Sequence, residues 1–327
     1  MNPPALAVGS CQSNNVTKQA IKDACKAYKK FFKGLTKYPR FKSKKKSRPS
    51  FYIDTDKIRF TDSHVKLEKF TNSREANKQQ MNWVRLAEHG RIPTNAKYSN
   101  PRVTYDGVNW WISVGIEQEE STEQPINDGM GIDIGIKDLA VCSDGNTYKN
   151  INKTSEVKNL NKRKRRLQRS VSKKYHKNKK GCSYCKTRNI IKSEKKLLKL
   201  NHRLTNIRHN YLHQVTSEIV SRKPRFIVLE NLNVKGMMSN RHLAKAVQEQ
   251  CFNEFYRQIE YKSRWDNIKL ITADRYFPSS KTCCVCGNVN KDLKLSERTY
   301  ICHECGNVID RDYQASVNLQ RYGELLA

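Results

Sequence analysis

Four acidic residues stand where their carboxylates could act together. Asp133 lies in Gly131-Ile132-Asp133-Ile134-Gly135, Glu230 closes the apolar run Arg225-Phe226-Ile227-Val228-Leu229, and Asp310 and Asp312 flank Arg311 near the end of the chain. Converging carboxylates repel one another and bind hard divalent cations. Two Mg²⁺ ions about 3.5–4 Å apart can activate a water and stabilise the leaving oxygen of a phosphodiester. Asp310 and Asp312 cannot both face such a site from one helix, because positions i and i+2 do not share a face. Asp310 suits the N-cap. Asp312 falls in the first turn, and the small residues Ala315 and Ser316 share its face and would let the helix approach a sheet closely. Asp312 is the expected ligand, with Asp310 as the alternative.

A second set of residues is built for a different metal. Cys283-x-x-Cys286 and Cys302-x-x-Cys305, followed by Gly287 and Gly306, have the spacing of a tetrahedral all-cysteine zinc ribbon. Four thiolates close the ion's coordination shell, so the expected Zn²⁺ is structural. A redox dithiol explains one knuckle but not two matched ones. Cys284 is a bystander, and Cys182-Ser183-Tyr184-Cys185, with no second pair nearby, is taken as incidental.

The elements that must position these residues follow from the pattern. Val16 to Gly34 has helical periodicity. Short alternating runs between residues 50 and 117, with Asp106-Gly107 as a hairpin turn, predict a small antiparallel sheet or barrel. A polar stretch from Glu117 to Asp128 reads as a linker. An α/β domain then opens with strands at Met130–Ile134 and Leu139–Cys142. Strand side chains alternate, so Asp133 points away from the face of Ile132 and Ile134. Further strands are expected at Arg225–Leu229 and Ile268–Thr272, with a helix over His242–Trp265 between them. Glu230 then sits at the carboxyl end of a buried strand, where open α/β sheets carry functional groups. Tyr313–Leu326 is a closing helix.

The chain has 327 residues, with 63 Lys and Arg against 31 Asp and Glu, a formal charge of +32. A polyanion is the partner that offsets such a charge, and nucleic acid is the default. No apolar run approaches the ~20 residues that span a bilayer. A soluble cytoplasmic, nucleoid-associated protein with no membrane partner is expected, with a monomer favoured. Paired cysteines fit a reducing compartment. Between Lys153 and Arg208 there are 21 Lys and Arg against two acids, Glu156 and Glu194, on two expected helices broken near Asn178–Ser183. Salt-bridge lacing cannot account for so one-sided a stretch. Lys162, Arg163, Lys164, Arg165, Arg166, Arg169, Lys173 and Lys174 are therefore the candidate phosphate contacts. Arg40 and Phe41, in the basic patch Lys37–Arg48, suit phosphate contact and base stacking; a solvated basic loop is the alternative.

The G-x-D-x-G run also opens actin-like ATPase domains, but no later glycine-rich phosphate loop accompanies it. Taken together, G-I-D-I-G-I-K-D-L-A-V, V-L-E-N-L, F-P-S-S-K-T-C-C-V-C-G and C-H-E-C-G-N-V-I-D-R-D-Y-Q-A-S-V-N-L resemble the TnpB (OrfB) family. Its members are transposon-encoded relatives of compact type V CRISPR nucleases. The resemblance runs from about Val16 to the end. It implies an RNase H-like (RuvC) α/β nuclease domain with an inserted four-cysteine zinc ribbon, preceded by a small helical region and a wedge-like β-barrel. The implied segments are a start and helical remnant over 1–49, a wedge-like region and linker over 50–128, the nuclease core over 129–277, the ribbon over 278–309 and the closing helix over 310–327.

The resemblance also implies guide RNA and target DNA as partners, Mg²⁺-dependent cleavage by Asp133, Glu230 and Asp312, and Zn²⁺ on Cys283, Cys286, Cys302 and Cys305. Family members open with a barrel strand and several helices ahead of the segment matching Val16–Phe41. The first fifteen residues here lack that pattern, so a shortened N-terminal region is expected. Gln314 and Ser316 stand where the family carries Asn and Ala. A non-cutting regulator of transposition and a three-acid transposase are the rival functions. The first is favoured by the shortened start, and the second is disfavoured by the ribbon and the D-R-D run.

Overall fold

The computed structural model describes residues 14–43, 47–68, 82–117, 124–294 and 297–326. The expected loose start before residue 14, and parts of the basic patch and the linker, lie outside these. The chain divides into two units, Met1–Glu119 and Glu120–Ala327.

In the first unit, helix α1 (Asn14–Phe32) ends where predicted, before Gly34 at φ +72°. Its apolar face is only partly covered: no α1 residue is fully buried, Val16, Ala27 and Phe31 are half-buried, and Ile21 and Phe32 are exposed. Two three-stranded antiparallel sheets follow, rather than the single sheet or barrel expected. One has the order β1 (Ser50–Tyr52), β5 (Tyr98–Tyr105), β6 (Trp110–Ile116). The other has β2 (Arg59–Phe60), β3 (His64–Lys66), β4 (Trp83–Arg85). They share one core of Ile53, Ile58, Phe60, Val65 and Val103. The Asp106 carboxylate accepts hydrogen bonds from the backbone N–H groups of Val108 and Asn109 and so forms the β5–β6 turn.

The second unit is built on a five-stranded sheet. Its strands are β7 (Met130–Ile134), β8 (Asp138–Cys142), β9 (Thr147–Lys149), β12 (Phe226–Leu229) and β13 (Lys269–Thr272), in the order β13-β12-β7-β8-β9. β12 runs parallel to both β7 and β13, and β8 is antiparallel to its two neighbours. Alternation along each strand divides two cores. Ile132, Ile134, Ile227 and Leu229 face helices α3 (Arg188–Ser221) and α6 (Phe252–Trp265). Phe226, Val228 and Ile271 face α7 (Arg311–Glu324).

Helix α2 (Ser155–Lys177) packs against α3 through Val157, Leu160, Leu200 and Leu204. The break between them is a two-stranded hairpin of β10 (Lys179–Lys180) and β11 (Ser183–Tyr184). The single helix expected over 242–265 is two. α5 (Ala244–Gln250) and α6 meet at Cys251, whose backbone is left-handed at φ 56°. Beyond the kink, Phe252 joins Phe255 and Ile259 in the core, and Cys251 is only partly buried against it. A short α4 (Val234–Ser239), capped by the Asn233 side chain, also went unpredicted.

Candidate nuclease site

β12 lies in register with β7, Leu229 beside Ile132. Asp133 is the next residue on β7 and Glu230 the first beyond β12, so that register carries them side by side on the face covered by α7. α7 crosses that face at Gly131, where a Cβ would come within 2.0 Å of the Ser316 carbonyl oxygen and 2.4 Å of the Gln320 nitrogen. From that crossing, Asp133 is two residues along the strand, about 6.6 Å. Asp312 is four residues back along the helix, about 6 Å. The charge of Asp312 acts on Asp133, so the two carboxylates lie at the same end of the contact. The small residues anticipated on this helix face, Ala315 and Ser316, are both buried there.

Electrostatics records the convergence. Burial pushes the Asp133 carboxyl well above the ordinary aspartate range. The negative charges of Glu230 and Asp312 push it the same way, and Arg311 opposes them. Burial also raises Glu230. A hydrogen bond donated by the Ser279 hydroxyl works against that, while Asp312 adds to it. The Asp312 oxygens face two guanidinium groups, Arg298 at 3.5 Å and Arg311 at 3.3 Å. Asp310 points elsewhere: its Oδ1 accepts the backbone N–H groups of Asp312 (2.9 Å) and Tyr313 (3.1 Å), which makes it the N-cap of α7. A 340 Å³ cleft opens beside Glu230, walled by Asn231, Leu232, Phe252, Asn253 and Tyr256. Oxygen-only donors that repel one another suit a hard divalent cation such as Mg²⁺.

Among the described residues, the four cysteines are the one set of three or more potential ligands whose donor atoms all lie within 4.8 Å of one another. Cys283 Sγ is 3.6 Å from Cys305 Sγ, and Cys286 Sγ is 3.5 Å from Cys302 Sγ. A tetrahedron with Zn–S bonds of about 2.3 Å has edges of about 3.8 Å, so the cage fits Zn²⁺. Each knuckle turns on its glycine, Gly287 at φ 76° and Gly306 at φ 70°. Burial disfavours a Cys283 thiolate, but backbone N–H groups of Cys286 and Val285 outweigh it and bring the thiol down to about 6. The ribbon strands β14 (Thr299–Ile301) and β15 (Val308–Asp310) lead directly into α7.

Of the candidate phosphate contacts on α2, Lys162, Arg163, Arg165, Arg166, Arg169 and Lys173 are exposed. Arg165, Arg169 and Lys173 line a shallow groove together. Lys174 instead turns inward, and its ammonium donates to Ser193 Oγ. The two acids of the basic stretch, Glu156 on α2 and Glu194 on α3, already have partners: Glu156 pairs with Arg203, and Glu194 with Lys186. Arg40 and Phe41 are exposed in the first unit.

Sequence reasoning passed over Ser279, Arg298, Arg311 and Asn318. Ser279 lay inside a quoted motif without a role. Asn318 follows Gln314 by four residues, and two carboxamides stacked on one face of a packed helix are a signal for buried polar contacts.

A protein of Streptomyces pristinaespiralis named "Putative RNA-guided DNA endonuclease" is 31% identical over 93% of this chain and 70% of its own length. The chain belongs to the TnpB (OrfB) family. The family model OrfB_IS605, described as "Probable transposase", matches residues 112–241, and the model of the Cas12f1-like TNB domain matches residues 252–319. The Escherichia coli protein named "Putative RNA-guided DNA endonuclease InsQ" is 28% identical over 93% of this chain and 73% of its own. The fold is similar to the protein in the cryo-EM structure of the Cas12f1–sgRNA–target DNA complex, with a TM-score of 0.60 and 15% identity, over 94% of this TnpB-family chain and 71% of that one. No helix among the described residues is long and apolar enough to cross a membrane.

Proposed function

We propose that this chain is an RNA-guided DNA endonuclease. Its second unit is then an RuvC-type, RNase H-like domain that hydrolyses phosphodiesters at Asp133, Glu230 and Asp312. The observation that carries this reading is the approach of three carboxylates from β7, the end of β12 and the start of α7 on one face of the sheet, where the charges of Glu230 and Asp312 raise the proton affinity of Asp133 and that of Asp312 raises Glu230. Two bound Mg²⁺ ions would supply an activated water and charge stabilisation at the leaving oxygen.

The chain's own residues set the stage for that chemistry. β7 and β12 fix Asp133 and Glu230 side by side. Asp310 takes the N-cap of α7 and so leaves the Asp312 carboxylate free of capping. Arg298 and Arg311 offset the repulsion among the acids. The Zn²⁺ cage on Cys283, Cys286, Cys302 and Cys305 anchors the ribbon from which α7 starts and takes no part in the reaction. The exposed cations of α2 bind the backbones of a guide RNA and its DNA heteroduplex, and base pairing supplies sequence specificity.

The test is to purify the protein with its bound RNA, sequence that RNA, and offer matching DNA with Mg²⁺ or with EDTA. Cleavage with Mg²⁺ alone is expected. Asp133→Ala should abolish it while leaving RNA and DNA binding in place. Unchanged cleavage by that variant would overturn the assignment. RNA and DNA binding by the wild type without any cleavage would favour the non-cutting regulator.

A further inference from the structure

Ser279 is 4% exposed and belongs to neither the sheet nor the zinc cage. Its hydroxyl donates a hydrogen bond to Glu230 Oε1. Its backbone carbonyl accepts one from Asn318 Nδ2 at 2.7 Å, and the same amide group donates to the Thr282 carbonyl at 2.6 Å. Asn318 is itself 4% exposed and lies on α7, six residues beyond Asp312. One carboxamide therefore ties together the loop that carries Ser279, the residue that precedes the first zinc-ligating cysteine, and the helix that carries Asp312. Gln314, one turn earlier on α7 and wholly buried, accepts the Cys284 N–H at 3.5 Å as a second stitch.

We propose that Ser279 is a positioning residue for Glu230, held in place by Asn318, and that through this pair the zinc ribbon braces the carboxylate site. This rests on the reading of Asp133, Glu230 and Asp312 as a divalent-cation site. Glu230 follows the last residue of β12, so its backbone lies at the margin of the sheet and the strand ladder does not fix its side chain. A hydroxyl that engages one carboxylate oxygen fixes that rotation and leaves the other oxygen for a cation. Hydrogen bonds of this kind orient metal ligands, and their removal typically costs about 10- to 100-fold in metal affinity. Ser279 has no freedom to follow Glu230 elsewhere, because its carbonyl is anchored from the opposite side.

The experiment measures Mn²⁺ binding by electron paramagnetic resonance on the full chain without DNA, so that it does not depend on turnover. Wild type is compared with Ser279→Ala, Ser279→Thr, Asn318→Ala and Asp133→Ala. Zinc content and thermal melting of each variant show that the ribbon and fold persist. Ser279→Ala is expected to weaken Mn²⁺ binding about 10-fold or more. Ser279→Thr, which keeps the hydroxyl, should restore most of it, and Asn318→Ala should fall between the two. Should Asn318→Ala fail to fold, Ser279→Ala and Ser279→Thr decide the matter alone. Equal Mn²⁺ affinity in Ser279→Ala and wild type, with Asp133→Ala lacking binding, overturns the positioning role and spares the site. Equal affinity in Asp133→Ala as well overturns both.

Discussion

The carbonyl oxygen of Ser316 occupies the space that any side chain on Gly131 would need, 2.0 Å from where its Cβ would lie. This close crossing of β7 and α7 brings Asp312 near enough for its charge to act on Asp133. The two nearest neighbours of the added atom, Ser316 O and Gln320 N, are backbone atoms within the helix and cannot swing aside. Overpacking a core costs about 1–3 kcal/mol, and Gly131→Ala should fall near the upper end. A drop in the urea midpoint with loss of Mn²⁺ binding is the expected result; unchanged stability would mean that α7 does not pack on β7 as described.

The raised proton affinity of Asp133 has a sign that can be checked. Unfolded, its carboxyl titrates near its ordinary 3.8; folded, it titrates well above that. Between the two values the native state holds a proton that the unfolded state has released. In the absence of divalent cations this contribution to stability therefore falls as pH rises from about 4 through the folded value, by about 1.4 kcal/mol for each pH unit that separates the two. Asp133→Asn removes the effect. At neutral pH without Mg²⁺ the variant should melt at a higher temperature than wild type, and the gap should close as pH is lowered toward 4. Adding Mg²⁺ should raise the melting temperature of wild type only.

Asp310 and Asp312 should separate cleanly. Asp310→Ala loses an N-cap and should cost about 1 kcal/mol of stability while retaining most cleavage. Asp312→Ala should abolish cleavage with little change in the denaturation midpoint. The reverse pattern in paired denaturation and cleavage assays would exchange their roles.

Elemental analysis should find about one zinc per chain. Cys302→Ala should lose that zinc and lower the melting temperature, because the cage holds the strands that start α7. Cys182→Ser and Cys185→Ser should keep the full zinc content, since the exposed pair finds no third ligand among the described residues.

The groove on α2 predicts a salt dependence. If Arg165, Arg169 and Lys173 each contact a phosphate, replacing all three with Gln should reduce the slope of log K against log salt by about 2–3. It should weaken matched and unmatched nucleic acid alike. A change in sequence preference with an unaltered slope would contradict a backbone-binding role.

The sequence by itself determined what local chemistry can determine. The cysteine spacing and its glycines specify a tetrahedral cage, because ligand geometry is set within a few residues of each knuckle. The i, i+2 rule and capping preference separated Asp310 from Asp312 before any tertiary contact was known. Alternation around Asp133 fixed which face it takes, since strand parity is a property of the strand alone.

Tertiary structure decided the rest. That Glu230 lies beside Asp133 follows from parallel pairing of strands almost one hundred residues apart, which no periodicity encodes. The kink at Cys251 was hidden because Leu243, Val247, Cys251, Phe255 and Ile259 keep their four-residue spacing across it, and no periodicity signals the single left-handed residue. Lys174 looked like its neighbours in a basic run, and only the position of α3 turned it toward Ser193. Ser279 and Asn318 carry no signature of their own. Their roles arise where a loop, a helix and a strand end meet, and hydrogen bonds between such distant segments exist only once the chain has folded.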